Sequence, residues 1–462
     1  MEKNKKIIII ILTSLVLIAG LIIFINNISN NESVEKESTN SNVITETTKS
    51  DTDMDLDVDF SQYKSYNVEI NQSYSITTGG VYNITGTISD GSITINTEEN
   101  VKIVLNNVTI TNTNGPAINV ENADNVYIEL VGTNTLTSTT SEDLDGCIYS
   151  KDDLYIYGDG TLTIKSNYDG IVSNDDLIIA SGTYIINVDD DGLRGKDSLT
   201  IEDGTFTITA GGDGLKTTNE EEKGSLTING GTFKITSADD GIDSISTINI
   251  TNGTFNITST GKAIKAQSNI SITNGTFNLN SEDDGIHSNG SVSIAGGKFE
   301  MTCTDDAIHA DELVVIEDGD ININAHEGIE GTYIKINGGK VNISASDDGI
   351  NATNKSTNYS TAIEINGGDI TIKMGSGDTD AIDSNGDIYI TGGTIDITAQ
   401  SPFDYDGQSK YTGGTIIVNG QQTNTITNQM MGGGMMNGEN NMQGGMMQNN
   451  GNMSRRGGMM IR

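Results

Sequence analysis

INITNGTFNITSTGKAIKAQSN, residues 248–269, is followed directly by ISITNGTFNLNSEDDGIHSNGS, residues 270–291. The two blocks are both 22 residues long and align without a gap. Each opens with alternating apolar and polar residues, turns at Asn-Gly, and resumes the alternation. Each then passes a short turn into a triplet, Ile264-Lys265-Ala266 or Ile286-His287-Ser288. Alternation at period two sends every second side chain to one side of an extended chain. A 22-residue unit with three short strands is the size of one coil of a parallel β-helix. One coil cannot bury its apolar side alone; stacking buries it and pairs its backbone with the coils above and below.

The unit recurs outward from these blocks. LTIEDGTFTIT (199–209), LTINGGTFKIT (226–236), VSIAGGKFEMT (292–302), IKINGGKVNIS (334–344) and IYITGGTIDIT (388–398) repeat the strand-turn-strand part. A Gly or Ala before an aliphatic residue marks each repeat, at Gly146, Gly170, Gly192, Gly214, Gly241, Ala263, Gly285, Ala307, Gly328, Gly349 and Ala381. Most steps are 21 to 24 residues, with two longer ones of 27 and 32. Antiparallel hairpins use the same Asn-Gly turns, but a sandwich does not repeat one unit this way. A leucine-rich repeat lacks its Leu and Asn pattern here, and no 3.6-residue period is present. The expected fold class is therefore all-β, a right-handed parallel β-helix, its hand following the crossover rule. Residues 60–140 keep the alternation without the anchor and read as a cap and early coils.

Composition agrees with a solenoid. Only 2 prolines interrupt the chain, and 55 glycines serve its tight turns. The formal charge of −39 leaves no basic surface for phosphates, so nucleic acid is excluded as a partner. It also disfavours a polyanion unless cations bridge the two. Cys147 and Cys303 fall seven coils apart, about 34 Å at the usual strand spacing, too far to pair with each other.

Four regions are expected. Residues 1–26 hold Lys3, Lys5 and Lys6 before an apolar run from Ile7 to Ile25, long enough for a helix of about 28 Å. With no small-x-small cleavage site, this reads as an uncleaved transmembrane signal-anchor, with everything after Asn26 outside the cell. A cleaved signal is the alternative. Residues 27–59 are a polar spacer, 60–420 the β-helix, and 421–462 a Gly-, Met- and Asn-rich tail without a packed core. A monomer at the cell surface is expected.

The anchors carry acids. Asp190 and Asp191, Asp239 and Asp240, Asp283 and Asp284, Asp305 and Asp306, and Asp347 and Asp348 fill the two places before the anchor, and Asp213 fills one. Two like charges one coil apart repel by about 3.5 kcal/mol at an effective dielectric near 20, so a stack of them needs compensation. Ca²⁺, with six to eight oxygen ligands, fits between coils; these eleven aspartates are the expected metal ligands. The competing reading is that Asp-Gly only makes the turn. Two residues past the anchor stands a second column with Arg194, Lys216, Lys265, His287 and His309. Either it meets the carboxylates of a uronate polymer or it balances the acid column.

Two stretches, VYNITGTISDGSITINTEENVKIVLNNVTITNTNGPAINVENADNVYIELVGTNTL from Val81 and DGIVSNDDLIIASGTYIINVDDDGLRGKDSLTIEDGTFTITAGGDGLKTTN from Asp169, carry a resemblance over about Val81–Gly420. Gly170–Lys216 is its most specific part. The chain resembles a clostridial family of surface carbohydrate-binding β-helix proteins. That resemblance implies a pectate-lyase-like fold, binding of cellulose and polygalacturonate, and calcium in the helix. The residues favour the acidic glycan, because Trp, the usual platform for a flat glucan, is absent. The alternatives are a calcium-dependent polysaccharide lyase, with Arg194, Lys216, Lys262 or Lys265 as base, and a purely structural surface or adhesion protein. No catalytic residue is assigned.

Overall fold

A computed structural model describes Leu56 and residues 58–219, 224–376 and 379–428. The expected membrane anchor, most of the spacer and the Met-rich tail from Gln429 lie outside these residues. Among the described residues no helix is long and apolar enough to cross a membrane.

The chain winds as a parallel β-solenoid of about 15 turns with about 22-residue coils. One coil shows the plan. Ser198–Ile201 lies on face A, Thr205–Ala210 on face B and Leu215–Thr217 on face C. Each strand pairs in parallel with its counterparts one coil away: Leu199 with Leu177 and Leu226, Phe206 with Tyr184 and Phe233, Leu215 with Leu193 and Ile242. Every strand is thus central except at the two ends, so backbone donors and acceptors are satisfied along the stack.

The alternation places the core. Face B strands read exposed-buried-exposed-buried, as in Thr254–Ser259. Their first buried position forms a column of rings: Tyr184, Phe206, Phe233, Phe255, Phe277 and Phe299. Neighbouring centroids lie 4.5–4.9 Å apart, with planes within 6° of parallel. That separation is the spacing between parallel strands, so identical residues in register meet their own kind. Ile208, Ile235, Ile257 and Leu279 make the next buried column, with Ile242, Ile264 and Ile286 facing them from face C. Full burial of each such side chain stabilises by about 1.5–3 kcal/mol.

The turn from face A to face B explains the recurring glycine. Gly275 has φ +142°, and a Cβ there would lie 2.7 Å from a ring carbon of Phe277. Only glycine takes that conformation without strain, which is why Asn-Gly precedes Thr-Phe.

Both cysteines are buried and free. The last strand, Gln421–Thr423, pairs antiparallel with Thr415–Val418. Folding back in this way carries β structure past the expected boundary at residue 420 and into the segment read as tail.

Candidate functional site

The site is built on the turn from face B to face C. There the backbone leaves the strand ladder, and its amide needs another acceptor. The inner aspartate of the previous coil supplies it. Asp191 N–H donates to Asp169 Oδ1 (2.9 Å), Asp213 to Asp191 (2.8 Å), Asp240 to Asp213 (2.8 Å), Lys262 to Asp240 (2.7 Å), Asp306 to Asp284 (3.0 Å) and Asp380 to Asp348 (3.0 Å). The inner carboxylates are therefore coil-to-coil staples. From Asp169 to Asp284 their burial is tolerated because one oxygen holds an amide and the other meets a cation.

Those cations are the second column. Arg194 reaches Asp145 (2.5 Å) and Asp169 (3.1 Å). Lys216 bridges Asp191 (3.0 Å) and Asp213 (2.8 Å), and Lys265 lies 2.8 Å from Asp240. Lys262, standing where other coils have an inner Asp, contacts Asp283 (2.7 Å) and Asp284 (3.0 Å). His287 Nδ1 lies 2.7 Å from Asp284 and His309 Nδ1 2.8 Å from Asp306. Burial pushes the Lys216 ammonium down, but Asp191 and Asp213 outweigh it and hold it above the ordinary lysine value. Burial likewise lifts Asp284, while His287 and Lys262 pull it down to about 2. Burial carries Asp169 and Asp213 up to about 7, against the pull of Arg194 and Lys216 respectively.

The expected site residues are thus assembled on one corner, in two roles. The inner acids Asp191, Asp213, Asp240, Asp284 and Asp306 are buried and joined to the cations expected to meet the glycan. The outer acids Asp190, Asp239 and Asp305 are exposed, and Asp283 and Asp347 half-buried. In four of the five doubled Asp positions the two members therefore differ in burial, whereas Asp347 and Asp348 are both half-buried.

Compensation changes along the column. Lys355, from the insertion after Gly349, lies 2.7 Å from Glu330. Beyond it the acids face acids. Burial, then the charges of Asp347, Asp380 and Asp404, raise Asp348 to about 6. Burial, then Asp348, Asp380 and Asp404, raise Asp383 to about 7. These are half-buried carboxyls whose oxygens are the donor type a hard divalent cation takes. Lys355 and Asp404 were not assigned from sequence. The insertion itself was the available signal for Lys355, whereas Asp404 lies outside the Asp-Asp-Gly pattern.

A second surface was also missed. On the outward side of face A, Phe60, Tyr127, Tyr155 and Tyr157 form a run of ring contacts at 4.9–6.0 Å. Lys102 Nζ lies 5.4 Å from the Tyr157 ring centre and 2.6 Å from Glu129. VYIEL and LYIYG carry these tyrosines at outward positions, but attention to the inward side hides them. Tyr127 is buried within this run and Phe60, Tyr155 and Tyr157 are half-buried against it, so the rings pack a small apolar cluster on the outside of face A.

The strands define the described residues as a parallel β-solenoid with long in-register side-chain columns and polar corners. Comparison makes this specific. A family model described as carbohydrate-binding domain-containing protein matches residues 70–307 and 302–450, and the chain belongs to that family. A carbohydrate-binding domain-containing protein of Acetivibrio thermocellus is 37% identical over 117 residues, which is 22% of this chain and 41% of the relative. The match thus spans about two fifths of that relative's length. A solved structure of the polysaccharide lyase-like protein from C. thermocellum, a gadolinium derivative, is 33% identical, covering 44% of this chain and 93% of that one with a TM-score of 0.41.

Proposed function

We propose that this protein binds acidic polysaccharide at the cell surface, with calcium held at the C-terminal part of the acid column. The observation that carries this reading is the loss of compensation beyond Lys355. From Asp169 to Asp306 the inner acids meet Arg, Lys or His; Glu327, beside the Lys355–Glu330 pair, already faces Asp306, Glu330 and Asp348, and at Asp348 and Asp383 the charge neighbours are other acids. Calcium is the natural compensation for half-buried oxygens that repel each other. Asp347, Asp348, Asp380, Asp383 and Asp404 are the residues that would hold it. The ion would supply positive charge that a uronate carboxylate can share, which lets an acidic chain approach a protein of charge −39. The apolar run Ile7–Ile25 supports anchoring outside the membrane.

Binding is favoured over elimination. Arg194, Lys216, Lys262 and Lys265 each hold carboxylates of their own column. A cation pinned in its charged form is a poor general base.

The test is pull-down on polygalacturonate and on cellulose, with calcium or with chelator, for wild type and an Asp348→Asn/Asp383→Asn variant. Calcium-dependent retention on polygalacturonate that the variant loses is expected. Retention unchanged by chelator removes the calcium mechanism. Unsaturated products appearing in the same incubation would make the protein a lyase.

A further inference from the structure

His309 occupies an arrangement unlike the rest of its column. Its Nδ1 lies 2.8 Å from Asp306 Oδ2 and equally 2.8 Å from Glu330 Oε2. All three side chains are nine-tenths or more buried. Asp306 lies in the acidic turn, and Glu330 is the register partner of His309 one coil on. One ring nitrogen carries at most one proton and directs it in one in-plane direction. It can at best share that proton as a three-centre bond, weaker than two full hydrogen bonds, so the three atoms converge with fewer protons than contacts.

The other ring nitrogen gives an independent indication. His309 Nε2 lies 3.3 Å from Asp311 Oδ1. A ring nitrogen held by a carboxylate while the other faces a ligand set is the usual outer-shell support of a metal-binding histidine. The remaining groups nearby are His287, whose ring stacks at 4.5 Å, and Asp284, Glu327 and Lys355.

We propose that Asp306, His309 and Glu330 form a site for a divalent transition metal, with Zn²⁺ or Co²⁺ as the matching chemistry, and that Lys355 competes with the ion for Glu330. An imidazole nitrogen with two carboxylate oxygens suits zinc and its neighbours, whereas calcium takes oxygen ligands. This departs from the calcium expected at Asp306. Tetrahedral ligands about 2.1 Å from an ion stand about 3.4 Å apart, so the trio opens by about 0.6 Å per contact and the Lys355 ammonium withdraws. The side chain of Lys355 is 30% exposed, which leaves it room to do so. The site is independent of the glycan reading.

The experiment is calorimetric titration of the full chain with Zn²⁺ in excess calcium, and Co²⁺ absorption spectroscopy, on wild type, His309→Gln, Asp311→Asn and Lys355→Met. Comparing wild type with His309→Gln separates this site from the methionines of the tail. Wild type binds one ion that His309→Gln lacks, with a Co²⁺ visible band that the variant loses. Asp311→Asn binds about tenfold more weakly. Lys355→Met binds more tightly than wild type. Identical isotherms for wild type and His309→Gln overturn the site. Should His309→Gln fail to fold, Lys355→Met with no gain and Asp311→Asn with no loss overturn it equally.

Discussion

Lys216 shows what an internal cation does in this fold. Its ammonium bridges Asp191 and Asp213, whose side chains are only 4% and 3% exposed. Removing it strands two buried carboxylates of adjacent coils. Lys216→Met is expected to cost about 3–5 kcal/mol, the usual result of breaking a buried pair from one side. Lys298→Met, which removes an exposed partner of Glu300 at 3.6 Å, is expected to change stability by less than about 1 kcal/mol. Urea denaturation of both variants checks the contrast; equal effects would mean the column contributes no more than surface charge.

Glu327 makes the opposite case. Burial, and then the charges of Asp306, Glu330 and Asp348, outweigh the hydrogen bond from Asn351 and raise it to about 8. A carboxyl raised in the fold binds its proton more tightly there than in the unfolded chain. Its contribution to stability therefore falls as pH rises from the ordinary glutamate value of about 4.5 to about 8. Glu327→Gln keeps an oxygen for Asn351 and removes the ionisation. It is expected to stabilise the protein by about 1–2 kcal/mol at pH 8, after allowance for the part of the side chain that water reaches. At pH 5 the gain is small, because the folded wild type already carries the proton. Thermal melts of both proteins at the two pH values decide this, and a gain that is larger at pH 5 has the wrong sign.

Strands carry the ring column, and their energetics follow from register. Phe255 lies between Phe233 at 4.8 Å and Phe277 at 4.7 Å and is 1% exposed. Phe255→Ala opens a cavity between two rings and is expected to cost about 3–5 kcal/mol. Phe255→Leu keeps most of the volume and costs less. Chemical denaturation gives both values, and equal losses would show that ring stacking and not volume dominates.

This level of the structure was the most legible in the sequence. The 22-residue spacing and the Thr-Phe-Asn-Ile-Thr alternation fix which residues face inward, because the period of two leaves no freedom once one face is buried. The acid corner was half legible. That Asp191 and Lys216 stand on one corner follows from the repeat, but whether a lysine faces its neighbour or a ligand depends on side-chain rotamers that spacing does not encode. Arg194 illustrates the limit. It passes over Asp169 to reach Asp145, which lies 49 residues earlier in the chain. The tyrosines of face A were overlooked for the converse reason, since a core-directed reading discards outward positions.

A solenoid pairs every strand except those at its ends, and there its stability and solubility depend on covers. At the C-terminal end Thr415–Val418 would present an open parallel edge, and Gln421–Thr423 turns back to pair with it in antiparallel register, Val418 against Gln421 and Ile416 against Thr423. Asn428 extends the cover by donating to the Tyr405 carbonyl at 2.6 Å. An unpaired edge is a template for another chain, and a solenoid end adds a second hazard because its stacked apolar interior is exposed as well. The high negative charge opposes association, yet its repulsion is screened beyond about 8 Å at physiological ionic strength, whereas edge pairing acts at contact. A chain ending at Gly420 is therefore expected to form end-to-end oligomers at 0.15 M salt, while one ending at Asn428 does not. Light scattering of the two truncated chains at low and moderate salt tests this. Oligomers of the shorter chain that grow with salt identify the exposed end as the contact, and equal monomer fractions at both salt levels would show that the final hairpin is dispensable as a cap.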